Sequence, residues 1–538
     1  MPPAAAADAA QPRFSHGETV LILVGLMLGM FLAALDQTIV ATALPRMAAD
    51  LHGVQRLSWV ISAYLLASTA VTPIYGKLSD LYGRKLMLQI AIGIFLITSV
   101  LCGAAATIDQ LIAFRALQGL GGGGLIAMAH ATIADVISPR ERGRYQAYIA
   151  SSFTVASVVG PVLGGLFVDH LTWRWVFWIN VPIGLAALAM AQHTLRRLVP
   201  RRVRHRIDYA GAILIVAAVL CLLFLTTLGG NELAWTSPTI LALAGGTVLF
   251  LAAAIVQEWR ASEPILPPRL FATKGYATAS LVNLLTALVM LGGMVFIPLF
   301  LELVFTFHAD QSGLMLIPLT CATTLAAIFA GRLVARTGRY KIFPILGVTL
   351  TGTGMLLLAM VTPATPVALL AGLIGLCGLG VGMVNPVMMV AIQNTVETRD
   401  IGSATASVSF FRSMGGSFGV ALFTAVLIAR LDALVGPLPA GGLFGGEPGI
   451  RLVRAGSDAI ALAPAALRPL LVGAMAGAFH DIFRLAAGIS LLTLLAVLLL
   501  KEEPLKTGAG PAPRERGEAP AADAAPDLAA PDLAATEL

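Results

Sequence analysis

Apolar runs of about twenty residues, long enough to cross a hydrocarbon layer of about 30 Å, recur along this chain. They fall near 20–42, 57–75, 86–106, 110–133, 145–168 and 175–194, then near 209–228 and 238–257. Six more lie near 276–304, 312–334, 342–362, 366–391, 403–429 and 478–500. No water is present in hydrocarbon to satisfy backbone groups, so such runs must form helices. The expected fold is therefore an all-α integral membrane protein with fourteen spans in a six, two, six arrangement. Charged residues make up 12% of the chain, about half the share usual in soluble domains.

The segments between spans set the expected organisation. Residues 1–18 are an Ala/Pro-rich N-terminal segment, and 19–195 a six-helix bundle. Residues 196–208 form a basic linker with six arginines between Arg196 and Arg206. Two additional helices occupy 209–258, followed by a Pro-rich linker at 259–275. A second six-helix bundle spans 276–500 and is interrupted by a long connection at 430–477. The tail 501–538 ends in AAPDLAAPDLAA, which has too little apolar surface to build a core and reads as disordered.

The net charge of +6 does not indicate nucleic acid, because the basic residues sit in short loops between apolar runs. Most Lys and Arg fall in the alternate loops on the side of both termini, which places both ends in the cytoplasm. Ala41-Thr42-Ala43 imitates a signal-peptidase site, but the preceding segment is barely basic and Asp36 interrupts the apolar run, so the first helix is retained. Cys102, Cys221, Cys321 and Cys377 all lie in apolar segments and indicate neither a disulfide nor a metal site. Gly119, Gly121 and Gly124 spell GxGxxG inside a span. Without a preceding strand this suits close helix packing rather than a nucleotide. No catalytic motif is present, and the chain reads as a non-enzyme without a metal or cofactor.

An internal repeat is visible. GKLSDLYGRK at 76–85 and GRLVARTGRY at 331–340 each follow the second span of a six-helix set. Gly76, Leu78, Gly83 and Arg84 match Gly331, Leu333, Gly338 and Arg339 at an offset of 255. Ala335 stands where the first copy has Asp80.

Six segments in order carry a family resemblance. They are LDQTIVATALP (35–45), GKLSDLYGRK (76–85), RALQGLGGG (115–123), GPVLGG (160–165), WRWVFWINVPIG (173–184) and EPILPPRLF (263–271). Over roughly 20–500 the chain resembles the fourteen-helix drug:H+ antiporters of the major facilitator superfamily. It departs from the first-helix pattern in having Ala41 where Asn is usual. The resemblance implies the major facilitator fold and export of hydrophobic or amphipathic molecules, some of them cationic, from a bacterial inner membrane. The proton gradient would supply the energy and no cofactor would be needed. It also implies a monomeric transport unit and leaves room for a periplasmic adaptor protein. An exporter of a dedicated metabolite, siderophore or lipid shares every motif, and a nutrient symporter of the same fold and a non-transporting receptor or scaffold are the remaining alternatives.

Asp36 and Arg115 stand out physically. A charge inside a span is costly and is usually kept for function. At 1.5 Å per residue both lie roughly 8–9 Å from the outer ends of their helices, at matching depth. Direct pairing and alternating pairing with substrate both remain open. A carboxyl group whose guanidinium neighbour moves would change its proton affinity, and the resemblance gives these two positions the proton-coupling role. Asp80 and Arg84, with Gly76 and Gly83, are expected to form a gate loop docking on helix ends of the opposite bundle; a solvated basic loop is the plain alternative. Gly160, Pro161, Gly164 and Gly165 make helix five thin and lacking one backbone bond. The resemblance implies an occluding role for them, a packing kink being the alternative. Gln37, Gln118, Glu302 and Arg412 are candidate cavity or substrate residues, with Gln the more usual residue at the position of Glu302. His130 reads as structural.

Overall fold

The computed structural model describes residues 16–505 apart from 53–55, 138, 198–207, 230–232, 234, 263, 308, 398–399, 437–463 and 465–466. The readings of residues 1–15, of most of the 196–208 linker, of most of the 430–477 connection and of the tail from 506 lie outside the described residues. The first set of helices is α1 (His16–Asp50), α2 (Leu57–Tyr82), α3 (Arg84–Gly103), α4 (Ile108–Val136), α5 (Pro139–His170), α6 (Trp175–Trp178) and α7 (Asn180–Thr194). Two helices follow, α8 (Tyr209–Leu228) and α9 (Pro238–Arg260), and then a short α10 (Pro268–Ala272). The last set is α11 (Lys274–Val304), α12 (Ala309–Leu314), α13 (Ile317–Thr337), α14 (Ile342–Leu358), α15 (Val367–Thr395), α16 (Ile401–Val435) and α17 (Arg468–Leu499).

Thirteen segments among the described residues are long and apolar enough to cross a membrane, and Ile342–Leu358 is a shorter apolar helix at the expected eleventh place. The architecture is thus two six-helix bundles with two helices between them, fourteen in all. Two spans are each made of two pieces, and proline accounts for both breaks. Pro182 has no N–H for the Trp178 carbonyl, and α6 ends at Trp178. Pro318 likewise lacks a donor for Leu314, where α12 ends. The connection expected at 430–477 is shorter than the sequence suggested, because α16 continues to Val435 and α17 begins at Arg468. Leu427, Leu431 and Val435 lie on one face of α16, and Leu471 and Met475 on one face of α17. All five are buried in the same apolar cluster, which holds both helix ends in place.

Apolar surface also faces outward, as a hydrocarbon solvent demands. α9 leaves Leu241, Val248, Leu249 and Leu251 exposed. Its partner α8 packs Ile215, Val219 and Leu223 against Leu66 and Ala70 of α2 and Phe410 of α16. α8 therefore lies along the seam where α2 of one bundle meets α16 of the other. Asp208 caps α8 by accepting from the Gly211 N–H at 2.9 Å, and also accepts from Gln257 at 2.8 Å. Glu258 of α9 accepts the Leu266 N–H at 3.0 Å, fixing the path into α10.

The bundles meet along a second seam, α5 against α13. One end of the molecule, the loop end, carries Gly83, Gly338 and Asp400. There the two copies of the internal repeat occupy equivalent places. Gly76 of α2 lies against Ala406 and Gly402 of α16, and Gly331 of α13 lies against the backbone of Gly143 on α5. A Cβ at either glycine would collide with the opposite helix, so glycine is what allows each crossing. Gly83 and Gly338 are the two described glycines with positive φ, +92° and +72°, which favours glycine at both turns.

Candidate functional site

α1 carries Asp36 into the interior of the first bundle, and α4 runs back past it. The Asp36 Oδ2 lies 2.5 Å from Arg115 Nη1, with the two residues 0% and 1% exposed. Asp36 Oδ1 accepts from Gln118 Nε2 at 3.0 Å and from Asn180 Nδ2 at 3.1 Å. Arg115 also donates from Nε to the Val60 carbonyl at 3.1 Å and from Nη1 to Gln118 Oε1 at 2.8 Å. Its guanidinium lies 4.4 Å from the centroid of the Tyr64 ring, a cation–π contact strengthened by desolvation. Asn180 also donates to Ser99 Oγ at 3.0 Å, and Ser99 donates to the Phe177 carbonyl at 2.9 Å.

Glycines let this cluster form. Gly119 and Gly123 bring α4 against the α2 backbone at Tyr64 and Ser68, while Gly121 packs on α3 at Ala91 and Phe95. The apparent GxGxxG run is thus a packing surface. Leaving a buried carboxylate without its guanidinium costs about 3–5 kcal/mol, so the pair stays closed unless a proton or another cation replaces one partner. Gln37 is half-buried and makes no hydrogen bond to this carboxylate.

The glycine motif of α5 packs on the helix that bears Asp36. Gly160 lies against Thr38, and Gly164 against Thr42 and the Ile39 carbonyl. Thr38 Oγ1 donates to the Ala156 carbonyl of α5 at 2.9 Å. Gly165 faces open space, and Pro161 lies within a helix that stays continuous to His170.

At the loop end Asp80 reaches the other bundle. Its Oδ1 accepts the Gly402 N–H at 3.1 Å, and its Oδ2 accepts the Ser403 N–H at 2.8 Å and the Ser403 hydroxyl at 3.0 Å. These are first-turn donors of α16 with no partner inside the helix, and an anion there also meets the positive end of the helix dipole. Arg84 holds Asp80 from behind at 2.7 Å and Asp135 of α4 at 2.7 Å, and donates to Ser79. Lacking a carboxylate at Ala335, the second copy makes its crossing, Gly331 on Gly143, through backbone contact.

A further set of loop-end contacts was not singled out from sequence. Buried Arg142 of α5 donates to the Ile137 carbonyl at 3.1 Å, to the Ala134 carbonyl, and across the bundles to the Gln393 carbonyl at 3.4 Å. Gln393 of α15 donates to the His130 carbonyl at 3.3 Å and to Thr405 of α16 at 3.2 Å. His130 Nδ1 lies 2.5 Å from Gln146 Oε1. One guanidinium thereby satisfies carbonyls near the C-terminal ends of helices from both bundles.

Glu302 and Arg412 join neither cluster. Glu302 is half-buried near the far end of α11, without a hydrogen bond or ion pair to the described residues. Arg412, on α16, is half-buried and equally without such a partner among them. Among the described residues no group of His, Cys, Asp and Glu could hold a metal ion.

Comparison with known proteins adds the lineage. Residues 26–420 match the family model described as Major Facilitator Superfamily. An uncharacterized MFS-type transporter of Mycobacterium tuberculosis is 37% identical over 494 residues, covering 92% of this chain and 71% of that protein. Multidrug resistance protein 3 of Bacillus subtilis is 34% identical over 503 residues, covering 92% and 97%. Among solved structures, the human organic anion transporter MFSD10 superposes with a TM-score of 0.62 at 15% identity, over 90% of this chain and 100% of that one. At that identity the likeness concerns the fold alone.

Proposed function

Because the chain belongs to the Major Facilitator Superfamily, we propose that it is a proton-coupled antiporter that exports lipophilic or amphipathic small molecules by alternating access. Its partners are the bilayer and one small substrate at a time, and a single chain is the transport unit. It sits in a bacterial inner membrane with both termini in the cytoplasm, so that the loop end faces the cytoplasm. Relatives named as multidrug transporters and efflux pumps support the export reading. The fully buried Asp36–Arg115 pair is the observation that carries the coupling.

The chemistry follows from that pair. In the arrangement described, Asp36 is held by Arg115, Gln118 and Asn180. Protonation cancels the charge that fixes the guanidinium, while Arg115 keeps the Val60 carbonyl as an anchor. The cost of opening the pair, about 3–5 kcal/mol, is then met by a proton rather than by an empty charge. A proton crossing 100 mV supplies about 2.3 kcal/mol and half a pH unit about 0.7. Together these sustain on the order of a hundredfold gradient of a neutral substrate. Thr38 and Thr42, packed on Gly160 and Gly164, pass a shift of α1 directly to α5.

The test is proton release from the purified protein in detergent when a transported compound is added. Wild type should release protons and Asp36→Asn should not, although the variant still binds the compound. Equal release from both proteins would place the coupling elsewhere.

A further inference from the structure

Thr405, Ser409 and Arg412 follow one another at spacings of four and three along α16, so they share one face. The direction of that face is fixed at its lower end, where Thr405 accepts from Gln393 and Gln393 in turn bonds the His130 carbonyl of the opposite bundle. Arg412 stands two turns farther from the loop end, about 16 Å along the helix from Ile401. The face therefore points between the bundles, above the network that closes the loop end. Phe410, on the opposite side of α16, packs toward α8 and the lipid-facing seam, which turns the Arg412 face inward.

A guanidinium at this depth is expensive unless it is paired or faces water inside the bundle. Arg412 is half-buried and has no hydrogen-bond or ion-pair partner among the described residues. Across the space, Gln146 of α5 is buried beside His130, and its Nε2 also has no partner among the described residues. The acid of the first bundle cannot answer Arg412, because Asp36 is engaged by Arg115. Asp80 and Asp135 are engaged by Arg84. Among the described residues Arg412 is thus a donor left without an anionic partner on the inner face of α16.

We propose that Arg412 is a subsite for the anionic group of the substrate, a carboxylate, so that the transporter takes lipophilic acids. A planar guanidinium offers a carboxylate two parallel bonds, which an ammonium cannot reproduce. The proposal rests on the export reading only in taking the space between the bundles as the substrate's route.

The experiment uses the lipophilic acid naproxen and its uncharged primary amide, measured by equilibrium dialysis against the purified full-length protein in detergent. Wild type should bind the acid at least tenfold more tightly than the amide. Arg412→Gln should weaken acid binding about tenfold and leave amide binding unchanged, and Arg412→Lys should fall between. Amide binding reports that each variant is folded; if Arg412→Gln does not fold, the wild-type ratio and Arg412→Lys carry the test. The proposal is overturned if wild type does not prefer the acid, if Arg412→Gln leaves that preference intact, or if the substitution weakens both compounds equally. Preferential binding of the acid without its transport in proteoliposomes would count against export while leaving the subsite standing.

Discussion

Replacing Asp80 by Asn tests what holds the loop end shut. The carboxylate accepts two main-chain N–H groups and one hydroxyl from the first turn of α16, and pairs with Arg84 at 2.7 Å. The amide retains the shape and one acceptor oxygen, so one of those donors would face an NH2 group. Losing a partly buried charge at a helix N-terminus costs up to about 2 kcal/mol. A hydrogen bond to a charged group is worth about 1.5–3 kcal/mol. The two figures count overlapping energy, so the closed loop end should lose about 2–3 kcal/mol against the open one, a shift of roughly 30- to 150-fold. Spin labels at Tyr82→Cys and Arg339→Cys, one exposed site on each bundle, read that equilibrium as a distance in lipid nanodiscs once the native cysteines are replaced. Asp80→Asn should move most of the population to the longer distance and slow turnover at normal abundance. Ser403→Ala, which removes a single hydroxyl, should shift it only about fivefold, near 1 kcal/mol. Identical distance distributions for wild type and Asp80→Asn would refute the reasoning and reduce the loop to a topological signal.

Arg115→Lys keeps the charge but loses the fork that reaches Asp36, Gln118 and the Val60 carbonyl together; transport in everted vesicles should fall partially and its pH profile should move, and an unchanged profile would detach Arg115 from coupling. Gly76→Val places a branched side chain against Ala406 and Gly402, so transport should be lost at normal membrane abundance, whereas Gly165→Val, facing open space, should stay within about twofold of wild type. If both substitutions were harmless, the tight crossing would have no bearing on the cycle. Reporter fusions after Arg197 and after Lys501 should both report cytoplasm, and an external signal from either would reverse the assigned orientation.

Helical rise turns sequence position into depth, which is why Asp36 and Arg115 could be matched before any coordinates. Azimuth is harder to read, because in an interior helix apolar residues surround the axis and no stripe marks a face. Asn180 was missed for that reason. Its partner lies 144 positions away, and its own span looks uniformly apolar apart from the motif it sits in. Arg142 was missed differently. It reads as one of several loop arginines, and only tertiary structure shows that it lies buried against carbonyls from both bundles. Gly160 and Gly164 were recognisable as a thin face, but Thr38 and Thr42, the residues that fill it, are unremarkable in sequence. The end of α16 was placed too early because its last turns mix Arg430 and Asp432 with the buried leucines.

The placement of α8 makes the two seams between the bundles unlike. The α2–α16 seam is roofed along its membrane face by Ile215, Val219 and Leu223. Along the α5–α13 seam Thr154 and Thr324 touch, while Val155, Val158 and Val162 on one side and Leu325 and Phe329 on the other lie bare. A molecule dissolved in the lipid thus meets α8 on one flank and the bundle helices themselves on the other. The extra helix pair thus makes the perimeter of the two bundles lopsided, covering one flank and leaving branched and aromatic side chains bare to lipid along the other.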